Sequence, residues 1–191
     1  TSKTEPLSSG VNRATSWTYY STSDPRRDLV QTETVPSADT SGQNRVTTLN
    51  YSTNGLLTSE VVQGRIAGVV TTYTTSYTYD ANGKGRLSTI DGPRTDVSDV
   101  TTLAYFPDND SDLARRGQLQ TSTDAAGNVR SYASASPPFD TYDPFGNPKS
   151  ITDPNLVVRE MTYDGRGRLQ TSTVKGVAGD AVDLTTTNTY R

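Results

Sequence analysis

The sequence predicts an all-β chain, built as an array of antiparallel β-hairpins. Threonine makes up about one residue in six, and the aromatic residues are mostly tyrosine, with 11 Tyr against 3 Phe and 1 Trp. Both residue types favour pleated strands with one solvated face. The apolar fraction is only 31%, and no stretch places apolar residues at helical spacing.

One complete hairpin can be recognised between residues 76 and 91. Tyr77 and Tyr79 lie on one face of the incoming strand, because side chains alternate along a strand. Residues 80–83 form the turn, and residues 86–90 form the returning strand. The same design recurs at residues 141–153 and again at residues 162–173.

Comparison of the three copies predicts the type of turn. The residue before the turn glycine is Asn82, Phe145 or Arg166. Phe and Arg do not readily adopt the positive φ that a two-residue type I′ turn requires. We therefore expect a type I turn with aspartate first and glycine last, in the left-handed conformation of a one-residue bulge. The aspartate carboxylate would accept backbone N–H groups of its own turn.

The motif residues are candidate site residues with a structural role in the repeat. They are Tyr79, Asp80, Gly83, Arg86 and Leu87; Tyr142, Asp143 and Gly146; and Tyr163, Asp164, Gly167, Arg168 and Leu169. A tyrosine that ends a strand marks each unit, at Tyr20, Tyr51, Tyr79, Tyr105, Tyr142, Tyr163 and Tyr190. These markers predict about seven degenerate hairpins over residues 16–191, the last one truncated, after a lead-in at residues 1–15.

The motif Tyr-x-Tyr-Asp-x-x-Gly-(x)-Arg-Leu resembles the Rhs or tyrosine–aspartate (YD) repeat, most strongly over residues 76–173. In that family the repeats form a β-strip that spirals into a hollow shell. Such shells occur in bacterial polymorphic toxins, in the cocoon subunits of insecticidal toxin complexes and in teneurins. The resemblance implies a structural segment of a large bacterial shell, secreted or at the cell surface. Its partners would be neighbouring repeats and an enclosed or presented toxin or effector domain.

The residue inventory argues against an enzyme. The chain has no His and no Cys, which excludes Ser-His and Cys-His nucleophile pairs and the metal sites built on those ligands. A pair of carboxylates could still hydrolyse a glycoside, but the aspartates fall in turn signatures. We therefore predict no catalytic site and no cofactor.

One acidic loop has an alternative reading. Asp108, Asp110 and Asp112 alternate as in a calcium loop, but Leu113 and Leu119 stand where an EF-hand has Gly and Glu. Weak calcium binding is the alternative to a solvated acidic loop at these residues.

Charge and hydropathy limit the partners. A net charge of −3 argues against nucleic acid, which requires a concentrated basic surface. No apolar run is long enough to span a membrane. The first ten residues are too polar for a signal peptide, and no turn follows the last strand, which predicts a segment of a longer protein.

Two other functions remain open from the sequence. Trp17, Tyr20 and Tyr132 could stack on sugar rings if they are exposed, as in an extracellular carbohydrate-binding or adhesion module. Alternatively, open strand edges could pair between copies to form a β filament.

Overall fold

The computed structural model describes residues 2–6, 12–37, 44–66, 68–82, 84–176 and 182–190. Within these ranges every helix or strand element is a β-strand, and the strands pair antiparallel in sequence order. The predicted all-β array of antiparallel hairpins is confirmed. The chain divides into two compact units, residues 1–100 and residues 101–191.

The first unit contains seven strands among its described residues. They are β1 (Ser2–Pro6), β2 (Asn12–Tyr19), β3 (Val30–Val35), β4 (Arg45–Tyr51), β5 (Leu57–Ile66), β6 (Val69–Tyr79) and β7 (Leu87–Asp91). Each strand pairs antiparallel with the next. β1 and the beginning of β2 fall in the lead-in, where the sequence shows little pattern.

The second unit repeats this architecture. Its strands are β8 (Val100–Tyr105), β9 (Leu119–Thr123), β10 (Val129–Tyr132), β11 (Ser150–Thr152), β12 (Val158–Tyr163), β13 (Leu169–Val174) and β14 (Leu184–Thr187). Each again pairs antiparallel with the next. Residues 133–149 form a long connection between β10 and β11 and contain an isolated bridge between Tyr142 and Pro148.

A β-bulge occurs where most incoming strands reach their turn. The pairing register shifts by one residue next to Tyr19, Tyr51, Tyr79, Tyr105 and Tyr163. The turn glycines Gly55, Gly146 and Gly167 have φ values of 78°, 83° and 74°. A left-handed glycine beside a two-against-one pairing defines the bulged turn that the sequence predicts.

The hydrophobic core is small. The buried apolar side chains among the described residues are Phe106, Ala133, Tyr142 and Met161. The rings of Phe106 and Tyr142 meet edge to face with centroids 6.5 Å apart, and Tyr132 packs against this cluster. Since burial is limited, backbone ladders and specific polar bonds must supply much of the stability.

Three glycine variants test the turn geometry. A Cβ at Gly167 would lie 2.8 Å from Cγ of Phe145, whereas a Cβ at Gly127 (φ +83°) or at Gly165 would have no neighbour within 4 Å. We expect Gly127→Ala to lower the free energy of unfolding by about 1–2 kcal/mol, because alanine is strained at positive φ. Gly167→Ala should cost more, because Phe145 must also move.

Gly165→Ala is the matched control, with an expected change within about 0.5 kcal/mol. Denaturant unfolding followed by circular dichroism measures all three values. Equal losses at the three positions would contradict the proposed turn geometry.

Candidate functional site

The aspartate of the signature closes its own turn. Oδ1 of Asp164 accepts hydrogen bonds from the backbone N–H groups of Arg166 (2.9 Å) and Arg168 (3.0 Å). Oδ2 accepts from Nε of Arg168 at 2.8 Å. The backbone completes the turn, because Asp164 N–H donates to Arg168 O and Gly167 N–H donates to Asp164 O, both at 2.9 Å.

The same arrangement, here called the aspartate clamp, recurs with asparagine in place of arginine. Asp143 accepts from the N–H groups of Phe145 and Asn147 and from Nδ2 of Asn147, at 2.8–3.0 Å. Asp124 makes three equivalent bonds with Ala126 and Asn128, each 2.9 Å long. The residue four positions after the aspartate therefore binds the second carboxylate oxygen, whether it is Arg or Asn.

The connection between β11 and β12 uses the two backbone bonds of this clamp without the side-chain bond. Asp153 accepts from the N–H groups of Asn155 and Val157, both at 2.9 Å. In this turn the left-handed position is held by Leu156, with φ 64°. The cluster of turn residues Asp153-Pro154-Asn155 indicates this turn in the sequence, whereas the left-handed leucine is visible only in the structure.

The hairpin of Asp80 has a longer loop. Asp80 N–H donates to Arg86 O at 2.8 Å, and Nε of Arg86 binds Oδ2 of Asp80 at 2.7 Å. The arginine follows the aspartate by six residues here and by four at Asp164. Gly83, the predicted turn glycine, lies outside the described residues, whereas Gly85 has φ 70° and directly precedes the arginine.

The clamp keeps its carboxylates ionised. Hydrogen bonds from the backbone and guanidinium of Arg168 lower the pKa of Asp164 from 3.8 to about 2, and Arg26 does the same for Asp24. Burial alone would raise the pKa of Asp143, but bonds from Asn147 and Phe145 outweigh it and leave the pKa lowered. A general acid needs a raised pKa, so these groups suit turn formation.

Four of the signature tyrosines each join their hairpin to the preceding one. Their hydroxyl groups donate to backbone carbonyls at 2.5–2.9 Å: Tyr79 to Leu57, Tyr142 to Leu119, Tyr163 to Pro148 and Tyr190 to Leu169. Each acceptor is the cross-strand partner of the preceding signature tyrosine, namely Tyr51, Tyr105, Tyr142 and Tyr163. We call this bond the tyrosine strap.

The strap is buried to different degrees along the chain. Tyr142 is 4% exposed, and burial raises its pKa to about 12, so its hydroxyl remains a donor. Tyr20 differs, because its hydroxyl donates to Leu49 O, a carbonyl later in the chain, at 3.0 Å. The other four straps each satisfy a carbonyl at the closed end of the preceding hairpin.

Arginine connects the clamp to the strap. The guanidinium of Arg168, already bound to Asp164, lies 4.3 Å from the ring centroid of Tyr190 in the following hairpin. Arg26 lies 4.2 Å from the ring of Tyr20. Such cation–π contacts contribute about 0.5–1 kcal/mol each at exposed sites.

The aromatic residues considered for sugar stacking are half-buried. In the first unit, Trp17 faces Glu33 across the ladder, and the ring of Tyr20 meets that of Tyr51 at 6.1 Å. In the second unit, Tyr132 lines a groove of about 310 Å³ with Arg130 and Arg159.

The loop of Asp108, Asp110 and Asp112 is organised by arginine. Oδ1 of Asp110 accepts from Asp112 N–H at 2.8 Å and from Arg115 at 3.0 Å, and Asp112 accepts from Ala114 N–H and the Thr141 hydroxyl. In the described ranges, no three His, Cys, Asp or Glu side chains are grouped so as to hold a metal ion.

Among the residues that the structure describes, no helix has the length and hydropathy of a membrane span.

These features define a class of protein, the antiparallel hairpin repeat in which clamped turns and tyrosine straps connect successive units. The family model described as RHS Repeat matches residues 142–181, a segment that includes the clamps of Asp143 and Asp164. The chain therefore carries a repeat of the RHS family, and the resemblance predicted from the sequence is confirmed. No curated protein matches the chain.

Solved structures of toxin complexes share the fold. The crystal structure of TcdB2-TccC3 matches with 20% identity and a TM-score of 0.58, over 96% of this chain and 9% of the other. The structure of the same complex without its hypervariable C-terminal region matches with 18% identity and a TM-score of 0.54, over 96% of this chain and 10% of the other. The structure of the Photorhabdus luminescens Tc holotoxin pore matches with 18% identity and a TM-score of 0.50, also over 96% of this chain and 10% of the other. The chain spans about a tenth of the length of these structures.

Removal of a strap hydroxyl should destabilise its unit. We expect Tyr163→Phe and Tyr79→Phe each to lower the free energy of unfolding by about 1–2 kcal/mol, because a backbone carbonyl loses its donor. Tyr19→Phe is the control, since Tyr19 is 43% exposed and no hydroxyl bond is found for it within the described residues. Equal stability of all three variants in denaturant titrations would rule out an energetic role for the strap.

The clamp predicts acid sensitivity. Because the pKa of Asp164 falls from 3.8 to about 2 on folding, the clamp stabilises the fold above about pH 4 and loses this contribution as the pH falls towards 2. Asp164→Asn should therefore reduce the loss of thermal stability between pH 5 and pH 2. Arg168→Gln should reduce it partly, because the backbone donors remain. An unchanged pH profile for Asp164→Asn would refute this account.

Proposed function

We propose that this chain is a structural segment in the wall of a large YD-repeat shell, secreted or at the cell surface, that encloses or presents a toxin or effector domain. The tyrosine strap is the observation that carries the proposal. Tyr142, Tyr163 and Tyr190 each bind the hairpin before them, so that every added hairpin extends the same sheet.

The energetics of the repeat fit a wall better than an isolated domain. A hairpin such as that of Tyr163 and Asp164 contributes a strap and a clamp but little buried apolar area, so it depends on neighbours on both sides. The matching toxin-complex structures are about ten times longer than this chain, which supports the role of a segment. The proposed function is mechanical and needs neither a catalytic residue nor a cofactor.

Glycan recognition is the second candidate, and the groove beside Tyr132 favours it. This groove combines an aromatic ring with Arg130 and Arg159, residue types that suit a sugar carrying a carboxylate. The shell proposal takes precedence, because the strap and the clamp occupy the recurrent residues of the motif, whereas Tyr132 belongs to no repeat position.

The native polypeptide tests the shell proposal. An antibody raised against this chain should isolate from its source a polypeptide about ten times longer, and negative-stain images should show hollow particles. Tyr163→Phe in that polypeptide should make the particles more sensitive to protease, while Tyr19→Phe should not.

A native polypeptide of about 191 residues that remains monomeric would overturn the shell proposal and favour glycan recognition. Fibres of such a polypeptide would favour a filament subunit instead. Large particles without a hollow interior would overturn the enclosing role alone.

A further inference from the structure

The hairpin of β5 and β6 extends beyond its neighbour. β6 has 11 residues, but the register with β7 begins only at Ser76 and ends at Tyr79. On that side, residues 69–75 have no ladder partner within the described part of the chain. We call this stretch the β6 edge. Every second residue of such an edge directs its N–H and C=O groups outwards, where they can pair with another strand.

The β6 edge lacks the features that normally protect an open strand. Residues 69–75 read Val-Val-Thr-Thr-Tyr-Thr-Thr, with no charge, no proline and no glycine. Val69, Val70 and Tyr73 are 65%, 46% and 42% exposed. Lysine, proline or a bulge commonly blocks pairing at natural edges, whereas β-branched and aromatic residues promote it.

We propose that the β6 edge is an interface at which a second copy of this chain pairs, antiparallel and about a two-fold axis at Thr72. Full overlap of two seven-residue edges places Thr72 opposite its own copy, Val70 opposite Thr74 and Tyr73 opposite Thr71. A two-fold interface must be self-complementary, and pairs of threonine with valine or tyrosine are favourable across strands. This inference does not depend on the shell proposal.

Charge at the ends of the pairing supports a second copy as the occupant. In this register the turn that precedes Val69 in one copy lies beside Ser76 of the other copy. Within that other copy, Ser76 pairs with Asp91, the last residue of β7. Arg65 stands at that turn and binds Gly68 O at 2.7 Å. Arg65 and Asp91 are both exposed and opposite in charge, so each end of the interface brings unlike charges together.

Cysteine cross-linking tests the register, because the chain contains no cysteine of its own. Directly opposed Cα atoms in antiparallel strands are about 4.5–5.5 Å apart, within the range of a disulfide. Mild oxidation of the Thr72→Cys variant should therefore give a covalent dimer on a non-reducing gel. The control is Thr78→Cys, also exposed and on β6 but paired with Thr89 of β7, which should stay monomeric.

Sedimentation velocity tests the interface without cross-linking. The wild-type chain should form a dimer with rising concentration and stop at two copies, because a two-fold interface closes. Thr72→Lys places two like charges opposite each other and should raise the dimer dissociation constant at least about tenfold. Mixing Thr72→Lys with Thr72→Glu should restore dimers. Circular dichroism of each variant verifies that it is folded.

Several results would overturn this inference. They are a wild-type chain that stays monomeric at every concentration, a dimer that Thr72→Lys does not weaken, and a mass that keeps growing past two copies. The last result would assign association to the outer strands of the sheet. Equal cross-linking at residues 72 and 78 would reject the register.

Discussion

The arrangement of the signature hairpin depends on one carboxylate that binds its own turn. When Asp164 engages the N–H groups of Arg166 and Arg168, the turn must end in a left-handed residue, and Gly167 takes that conformation. The register therefore shifts by one residue beside Tyr163. The hydroxyl of this displaced tyrosine binds Pro148 O in the hairpin before it. The bound carboxylate thus fixes the turn, the turn produces the bulge, and the bulge positions the tyrosine for its strap.

A sheet built in this way needs little hydrophobic core. Its buried apolar cluster centres on Phe106, Ala133 and Tyr142, and much of each strand carries threonine. Threonine hydroxyls bind across the ladders, as between Thr162 and Thr171 at 2.7 Å. Since hydrogen bonds contribute only about 0.5–1.5 kcal/mol each, many similar units must act together. This physical constraint explains why the repeat suits a continuous wall.

The aspartate–arginine bond and the tyrosine strap form in hairpins whose loops differ in length. Arg86 reaches Asp80 from six residues away, whereas Arg168 reaches Asp164 from four, and both arginines bind Oδ2. Residues 133–149 form a long connection between the paired strands β10 and β11, but Tyr142 within them still makes its strap to Leu119 O. Insertions are accommodated because the clamp and the strap depend on a few atoms at the end of a hairpin, not on strand length.

The sequence by itself determined the all-β class, the hairpin repeat and the bulged turn, because alternation, aspartate and glycine act over fewer than ten residues. It could not reveal that Tyr163 binds Pro148 O, since that bond joins residues 15 apart and requires two hairpins to be in register. Nor could it show that the β6 edge is open. That depends on how far β7 pairs along β6, and only the tertiary structure decides strand pairing.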